Sequence, residues 1–194
     1  AIIYNPKESD LYNSPAKPEV FDLDGIDKLI EGKYRKGHFQ GVATIVKRLF
    51  EKFSPDYAFF GEKDYQQILV VKKLTEKYNL KVKIKSILTV REKNGLAISS
   101  RNIFLDEETR SDAQIIYKSL CMVKKMIKTS HFDKIRGFVN ELFLGNEKFN
   151  LEYFYITESH SLKEVKSFNG EIKLRAFVCA KAKGVRLIDN IALN

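Results

Sequence analysis

Cysteine is scarce in this chain, with Cys121 and Cys179 the only two among 194 residues. No Cys-x-x-Cys pair and no Cys/His spacing accompanies them, which argues against a structural zinc site or a disulfide-stapled fold. Both read as small buried apolar residues, Cys121 in a helical pattern and Cys179 in a strand pattern. A reducing cytoplasm suits such a pair. Proline is limited to four residues, of which Pro6, Pro15 and Pro18 crowd one loop while Pro55 stands apart. No apolar run approaches the roughly 20 residues that span a bilayer. Internal repeats, low-complexity tracts and blocks of about five like charges are also missing. There is neither a G-x-x-x-x-G-K-S/T phosphate loop nor a G-x-G-x-x-G dinucleotide turn. The three histidines, His38, His131 and His160, lack neighbours that would mark an activated base or a Ser-His-Asp arrangement.

What remains is an ordinary globular balance, 44% hydrophobic and 30% charged residues, which excludes a disordered chain. Lys and Arg outnumber Asp and Glu by 34 to 25, a formal charge of +9. Such a surplus attracts polyanions, from nucleic acid to ATP. The basic residues are spread along the sequence, however, and fit a generally basic surface. A nucleic-acid module would need a recognition-helix pattern or an RNA-binding aromatic motif, and neither is legible.

Along the chain, residues 1–4 read as a short buried strand and residues 5–18 as a proline-rich loop. Val42, Ile45, Val46, Leu49, Phe50 and Phe53 recur at helical spacing until Pro55 ends the run. Residues 56–60 form the next strand, residues 64–78 a helix burying Ile68, Val71, Leu74 and Tyr78, and residues 81–90 another strand. Asn94-Gly95 is a turn signal. One long helix is expected from Asp106, burying Ala113, Ile116, Leu120, Val123 and Ile127, and a second over residues 132–144. Residues 151–156, 172–180 and 185–188 are strand-like. Alternating strands and helices give way near residue 90 to helices and then strands, which predicts an α/β unit followed by an α+β unit.

Two polar clusters stand out. Gly61-Glu62-Lys63-Asp64 follows the apolar run ending at Phe60 and precedes a helix. Open α/β sheets bind ligands at that strand rim. Free backbone N–H groups at a helix start, with a lysine, suit phosphate. A capping box between Asp64 and Gln67 is the competing, purely structural reading. The second cluster, Ile98-Ser99-Ser100-Arg101-Asn102, offers hydroxyls and a guanidinium for phosphate oxygens. Its bland alternative is a surface loop ahead of a helix. Together the clusters suggest two walls of a nucleotide site.

These segments, in this order, resemble the pantothenate synthetases, the pantoate–β-alanine ligases of coenzyme A biosynthesis. The matching stretches are Gly37-His38-Phe39-x-Gly41-Val42-x-Thr44, Phe60-Gly61-Glu62-Lys63-Asp64-Tyr65-Gln66-Gln67, Gly95-Leu96-Ala97-x-Ser99-Ser100-Arg101-Asn102, and Arg186-Leu187-Ile188-Asp189-Asn190. They cover nearly the whole chain. The resemblance implies part of a Rossmann-like, nucleotidylyltransferase-type parallel sheet within residues 1–89, bearing ATP and pantoate, and a smaller α+β lid domain over residues 90–194. It implies an ATP-dependent ligase acting through a pantoyl adenylate, with Mg²⁺ accompanying ATP and a cytoplasmic homodimer. By that likeness Lys63, Ser99 and Arg101 are catalytic. Gly61, Glu62, Lys63, Asp64, Val90, Ile98, Ser99, Ser100 and Arg101 bind ATP, and Gln67 binds pantoate.

The sequence departs from the family pattern at Lys36, where proline is usual before Gly-His-Phe. The family's Pro-Thr-Met-Gly and His-x-Gly-His segments, bearing its catalytic histidines, have no counterpart. The chain also starts at Ala1 rather than methionine. The expectation is therefore a piece of the enzyme, inactive or nearly so alone, with a sheet edge left unpaired. The rival expectation is a non-catalytic nucleotide-binding homologue or interaction module that lost the histidine element.

Overall fold

The computed structural model describes residues 2–11, 19–167 and 170–194. The chain divides into two compact units, residues 1–60 with 66–86, and residues 61–65 with 87–194. No helix among the described residues is long and apolar enough to cross a membrane.

The first unit holds short helices α1 (Glu8–Leu11) and α2 (Glu31–Tyr34), then the longer α3 (His38–Phe53). Strand β1 (Tyr57–Gly61), a 3-10 turn (Glu62–Asp64), α4 (Tyr65–Lys77) and β2 (Lys83–Ile87) follow. Helix α3 begins after Gly37, at φ 76°, and stops at Ser54, at φ 43°, whose N–H closes on the Phe50 carbonyl. Its apolar stripe, Phe39, Ala43 and Val46, packs with Val70, Val71 and Leu74 of α4 and with Phe21 and Leu23. Strands β1 and β2 pair in parallel through the α4 crossover, the connection that parallel neighbours require.

The first unit departs from the sequence expectation in four places. Residues 2–4 form no strand, and Ile2 and Ile3 are exposed, because no described strand offers them a ladder to pair with. The expected loop carries α1 at Glu8–Leu11, while Ala1 and residues 12–18 lie outside the described residues. Tyr78 is half-exposed, stacking edge-on against Phe21 while its hydroxyl accepts from the Asp22 N–H. The Asp64–Gln67 capping box does not form, since Asp64 closes a 3-10 turn ahead of α4.

The second unit holds α5 (Glu107–Asp112), α6 (Gln114–Met126), α7 (Phe132–Leu144), β3 (Asn150–Glu158), β4 (Leu174–Ala182) and β5 (Val185–Ala192). The strands form an antiparallel sheet in the order β3-β4-β5. Along β4 the residues Leu174, Ala176, Val178, Ala180 and Ala182 join the core shared with α6 and α7. Arg175, Phe177, Cys179 and Lys181 alternate to the other face, as the strand period of two dictates. The long helix expected from Asp106 is instead two. Asp106 caps α5 by accepting the Thr109 N–H at 2.7 Å, and the chain tightens at Ala113, whose carbonyl accepts from Ile116. That bond spans three residues rather than four, a 3-10 step between α5 and α6. Cys179 is buried, its Sγ donating to the Glu152 carboxylate at 3.4 Å, whereas Cys121 is half-buried.

Between the last strand of the first unit and α5 runs a small hairpin. The Ile98 N–H bonds the Val90 carbonyl, the Glu92 N–H the Leu96 carbonyl, and the Gly95 N–H the Glu92 carbonyl. Gly95 lies at φ 94°, and a Cβ there would sit 2.6 Å from Tyr117 Cδ1. Glycine is thus required on two grounds, backbone strain and space. Glu92 ties the hairpin to its surroundings. It accepts from Nε and Nη2 of Arg110 on α5 and from Nδ2 of Asn102. The Arg110 hydrogen bonds hold its carboxyl below the usual range, with Asn102 adding to the effect.

Gly95→Ala should lower unfolding free energy by roughly 1–3 kcal/mol, measured by chemical denaturation. The Glu92 interactions stabilise the fold fully above the unfolded carboxylate value, roughly pH 4.3. They fade as pH falls through the depressed folded value. A Glu92→Gln variant should therefore lose less thermal stability than the parent between pH 7 and pH 3; parallel curves would show that Glu92 contributes nothing to the acid limb.

Candidate active site

The two polar clusters that the sequence separates by a helix and a strand belong to the same unit. Residues 61–65 cluster with the antiparallel sheet rather than with the parallel strand they follow in sequence. The reason is a set of specific bonds. Nδ2 of Asn190, on β5, donates to the Glu62 carbonyl at 2.8 Å and to the Lys63 carbonyl at 2.9 Å. Arg175, on β4, donates through Nη1 to the Asn190 Oδ1 and through Nη2 to the Glu62 carboxylate at 3.5 Å. Its guanidinium stacks 3.7 Å from the Tyr65 ring centroid. Backbone carbonyls, an amide and a planar cation thus fix the turn.

The Lys63 side chain is mostly covered, and its Nζ lies 3.9 Å from the exposed carboxylate of Asp64. Lys63 lines a cavity of about 10 Å³ together with Ala97, Ser99, Asn102 and Asp189, about the room that one water needs. Leu96, Ile116, Leu187 and Ile188 also line it, so the structure brings Lys63 and Ser99 to one small, largely apolar space. Ser99 Oγ accepts the Arg101 N–H at 3.2 Å and opens a 3-10 turn, Ser100–Phe104. Ser100 and Arg101 are exposed, as are Gly61 and the side chains of Val90 and Ile98. The Val90 carbonyl accepts from Ile98, and a carbonyl's second lone pair leaves acceptor capacity there. Buried Asn102 donates through Nδ2 to the Ala97 carbonyl at 3.2 Å as well as to Glu92. Its Oδ1 has no hydrogen-bond partner among the described residues.

A buried ion pair supports the second wall. Arg91 grips Asp189 through both terminal nitrogens, at 2.5 and 2.9 Å. It also donates to the Gly95 carbonyl and stacks over Tyr117 at 3.7 Å. Burial pushes the Asp189 carboxyl up, against the opposing pull of Arg91, the Asn190 N–H and Lys63.

Gln67 sits half-buried on α4 in the first unit. Its neighbour Gln66 is buried and structural, donating to the Ile26 and Leu29 carbonyls and accepting the Glu31 N–H. Asn190, Arg175, Arg91 and Glu92 were given no role from sequence. Asp189-Asn190 did fall within a matched motif, and that was the available signal. What it lacked was any clue to which backbone groups these side chains reach.

Comparison with known proteins identifies the family. The family model described as pantoate-beta-alanine ligase matches residues 1–192. The chain is 42% identical over 192 residues to the pantothenate synthetase of Flavobacterium psychrophilum, covering 99% of this chain and 68% of that protein. The Christiangramia forsetii pantothenate synthetase matches to the same extent, at 42% identity with 68% of its length covered. The crystal structure of the Thermus thermophilus enzyme superposes with a TM-score of 0.87 at 33% identity, over 97% of this chain and 68% of that one. The ligase from Francisella tularensis, complexed with beta-gamma ATP and beta-alanine, gives 0.62 at 28% identity, over 92% of this chain and 57% of that one. A model match over almost every residue, together with 42% identity to curated relatives and a shared fold, leaves one assignment: the chain belongs to the pantoate–β-alanine ligase family.

Proposed function

We propose that this protein serves the ATP-dependent condensation of pantoate with β-alanine. In the first step a pantoate carboxylate oxygen attacks the α-phosphorus of ATP, and the bond to the β-phosphate breaks, releasing pyrophosphate. In the second, the β-alanine amine attacks the acyl carbon of the pantoyl adenylate; AMP leaves with the bonding electron pair and the nitrogen loses a proton. No covalent bond to the enzyme is needed. Catalysis then rests on positioning and on charge placed where it develops.

The observation that carries this reading is the convergence of Lys63 and Ser99 on one small cavity. Lys63 supplies a mobile ammonium for the phosphates. Ser99, Ser100 and Arg101, with the Ile98 backbone, form the loop that reaches the triphosphate. Gly61, Glu62 and Asp64 complete the ATP wall, with Gly61 and Asp64 at the ribose and the Val90 backbone at the adenine. Gln67 takes pantoate. In this reading residues 1–89 are the ATP- and pantoate-binding portion and residues 90–194 the lid domain. Mg²⁺ fits only as a companion of the nucleotide: the Asp189 carboxylate is taken by Arg91, and the other side chains lining the cavity are cationic, hydroxyl, amide or apolar, so phosphate oxygens and water would hold the ion while it neutralises their charge. A cytoplasmic homodimer completes the proposal.

The test is pantoate-dependent exchange of labelled pyrophosphate into ATP, catalysed by the protein as its gene encodes it. Exchange without β-alanine is expected, and its absence from folded, ATP-saturated protein would favour a non-catalytic homologue. Lys63→Ala should slow the exchange about 100-fold. An unchanged rate and ATP affinity in that variant would remove Lys63 from the site.

A further inference from the structure

We infer that Asn190 is a positioning residue for adenylation, acting through the Lys63 turn, with Arg175 holding Asn190 in the required orientation. The inference rests on the functional reading above and adds a residue to it. Asn190 is almost fully buried, and its side chain makes bonds of both kinds: Nδ2 donates to two successive carbonyls, those of Glu62 and Lys63, and Oδ1 accepts from Arg175. That pattern fixes which end of the amide faces the turn, because only the NH₂ end can donate. Arg175 is itself constrained on two further sides, by the Tyr65 ring and by the Glu62 carboxylate.

The turn being held has little else to define it. Its 3-10 helix is three residues long, and no side chain caps its start. Gly61 has open space around its α-carbon. A lysine on a short, uncapped turn has a mobile base as well as a mobile stem, yet electrostatic catalysis needs its charge placed before the reaction begins. The Asn190 bonds set the position of the Lys63 main chain and therefore the origin of its ammonium. A displacement of about 1 Å at such a group costs on the order of 100-fold in rate.

Asn190→Asp is the first variant. It keeps size and the Arg175 partner but replaces both N–H donors with an oxygen that faces two carbonyls. Asn190→Ala is the second, and thermal unfolding establishes that each is folded. The readout is kcat and the ATP KM in pyrophosphate exchange, in the parent and in a Lys63→Ala background. The expected result is a fall in kcat of about 10- to 100-fold with the ATP KM changed less, and little further loss once Lys63 is already alanine. Arg175→Ala should reproduce part of the effect, and Arg175→Lys should restore little, since an ammonium cannot stack and fork as a guanidinium does. Multiplicative losses in the double variant, or folded Asn190 variants with the parental kcat, would overturn the inference. If instead Lys63→Ala alone changes nothing, it is the assignment of the site that fails.

Discussion

Side chains of neighbouring residues on an extended strand leave it in opposite directions, and the candidate site depends on that constraint at Asp189 and Asn190. These two residues of β5 hold the two polar segments of the site. Asp189 takes Arg91, at the base of the hairpin leading to Ser99, and Asn190 takes the carbonyls of the Lys63 turn. One strand position and the next thus fix two loops against a single rigid element. Strand β5 is itself held in register by eight residue pairings with β4, so the precision of the sheet passes to loops that have none of their own.

The bonds differ in what their loss would cost. The Arg91–Asp189 pair is buried, and desolvating two charges offsets much of their attraction, so its net contribution to stability is small. Removing one partner is another matter, because an unpaired charge would then remain inside, at a cost of roughly 3–5 kcal/mol. The Asn190 bonds are neutral on one side and reach two main-chain acceptors of the Lys63 turn. Arg91 on Tyr117 and Arg175 on Tyr65 repeat a common device, a guanidinium lying on an aromatic face while its edge hydrogen-bonds. Each leaves the cation covered and oriented without a surrounding cage of carboxylates.

Much of the scaffold was legible before any coordinates. Helices α3, α4 and α7 follow from apolar periodicity, and the end of α3 from Pro55, because those signals are local, whereas α3 starts at His38, ahead of the first periodic residue, Val42. The antiparallel strands were found, β3 and β5 too short and β4 two residues too early, since strand ends owe their extended form to pairing. Where the reading failed, a nonlocal cause decided. Residues 2–4 are apolar enough for a strand but pair with none described. The break at Ala113 has no sequence mark of the Pro or Gly kind. Asp64 and Gln67 have capping-box spacing, yet a 3-10 turn changes the geometry that spacing presumes.

By itself, the sequence determined which residue types are available for phosphate and ribose, and in what order: Gly61 to Asp64, then Ser99 to Arg101. Four motifs at family-like intervals were sufficient for that, because motif identity is written in the chain. It could not determine that residues 61–65 pack with the second unit, that Gln66 rather than Gln67 is the structural glutamine, or that Asn190 carries the Lys63 turn. Those depend on contacts between residues distant in the chain, from Gln66 with Ile26 at a separation of 40 to Asn190 with Glu62 at 128. Hydrogen-bond partners so distant leave no periodicity behind. Only the folded sheet, by fixing where β5 points its side chains, decides which carbonyls they meet.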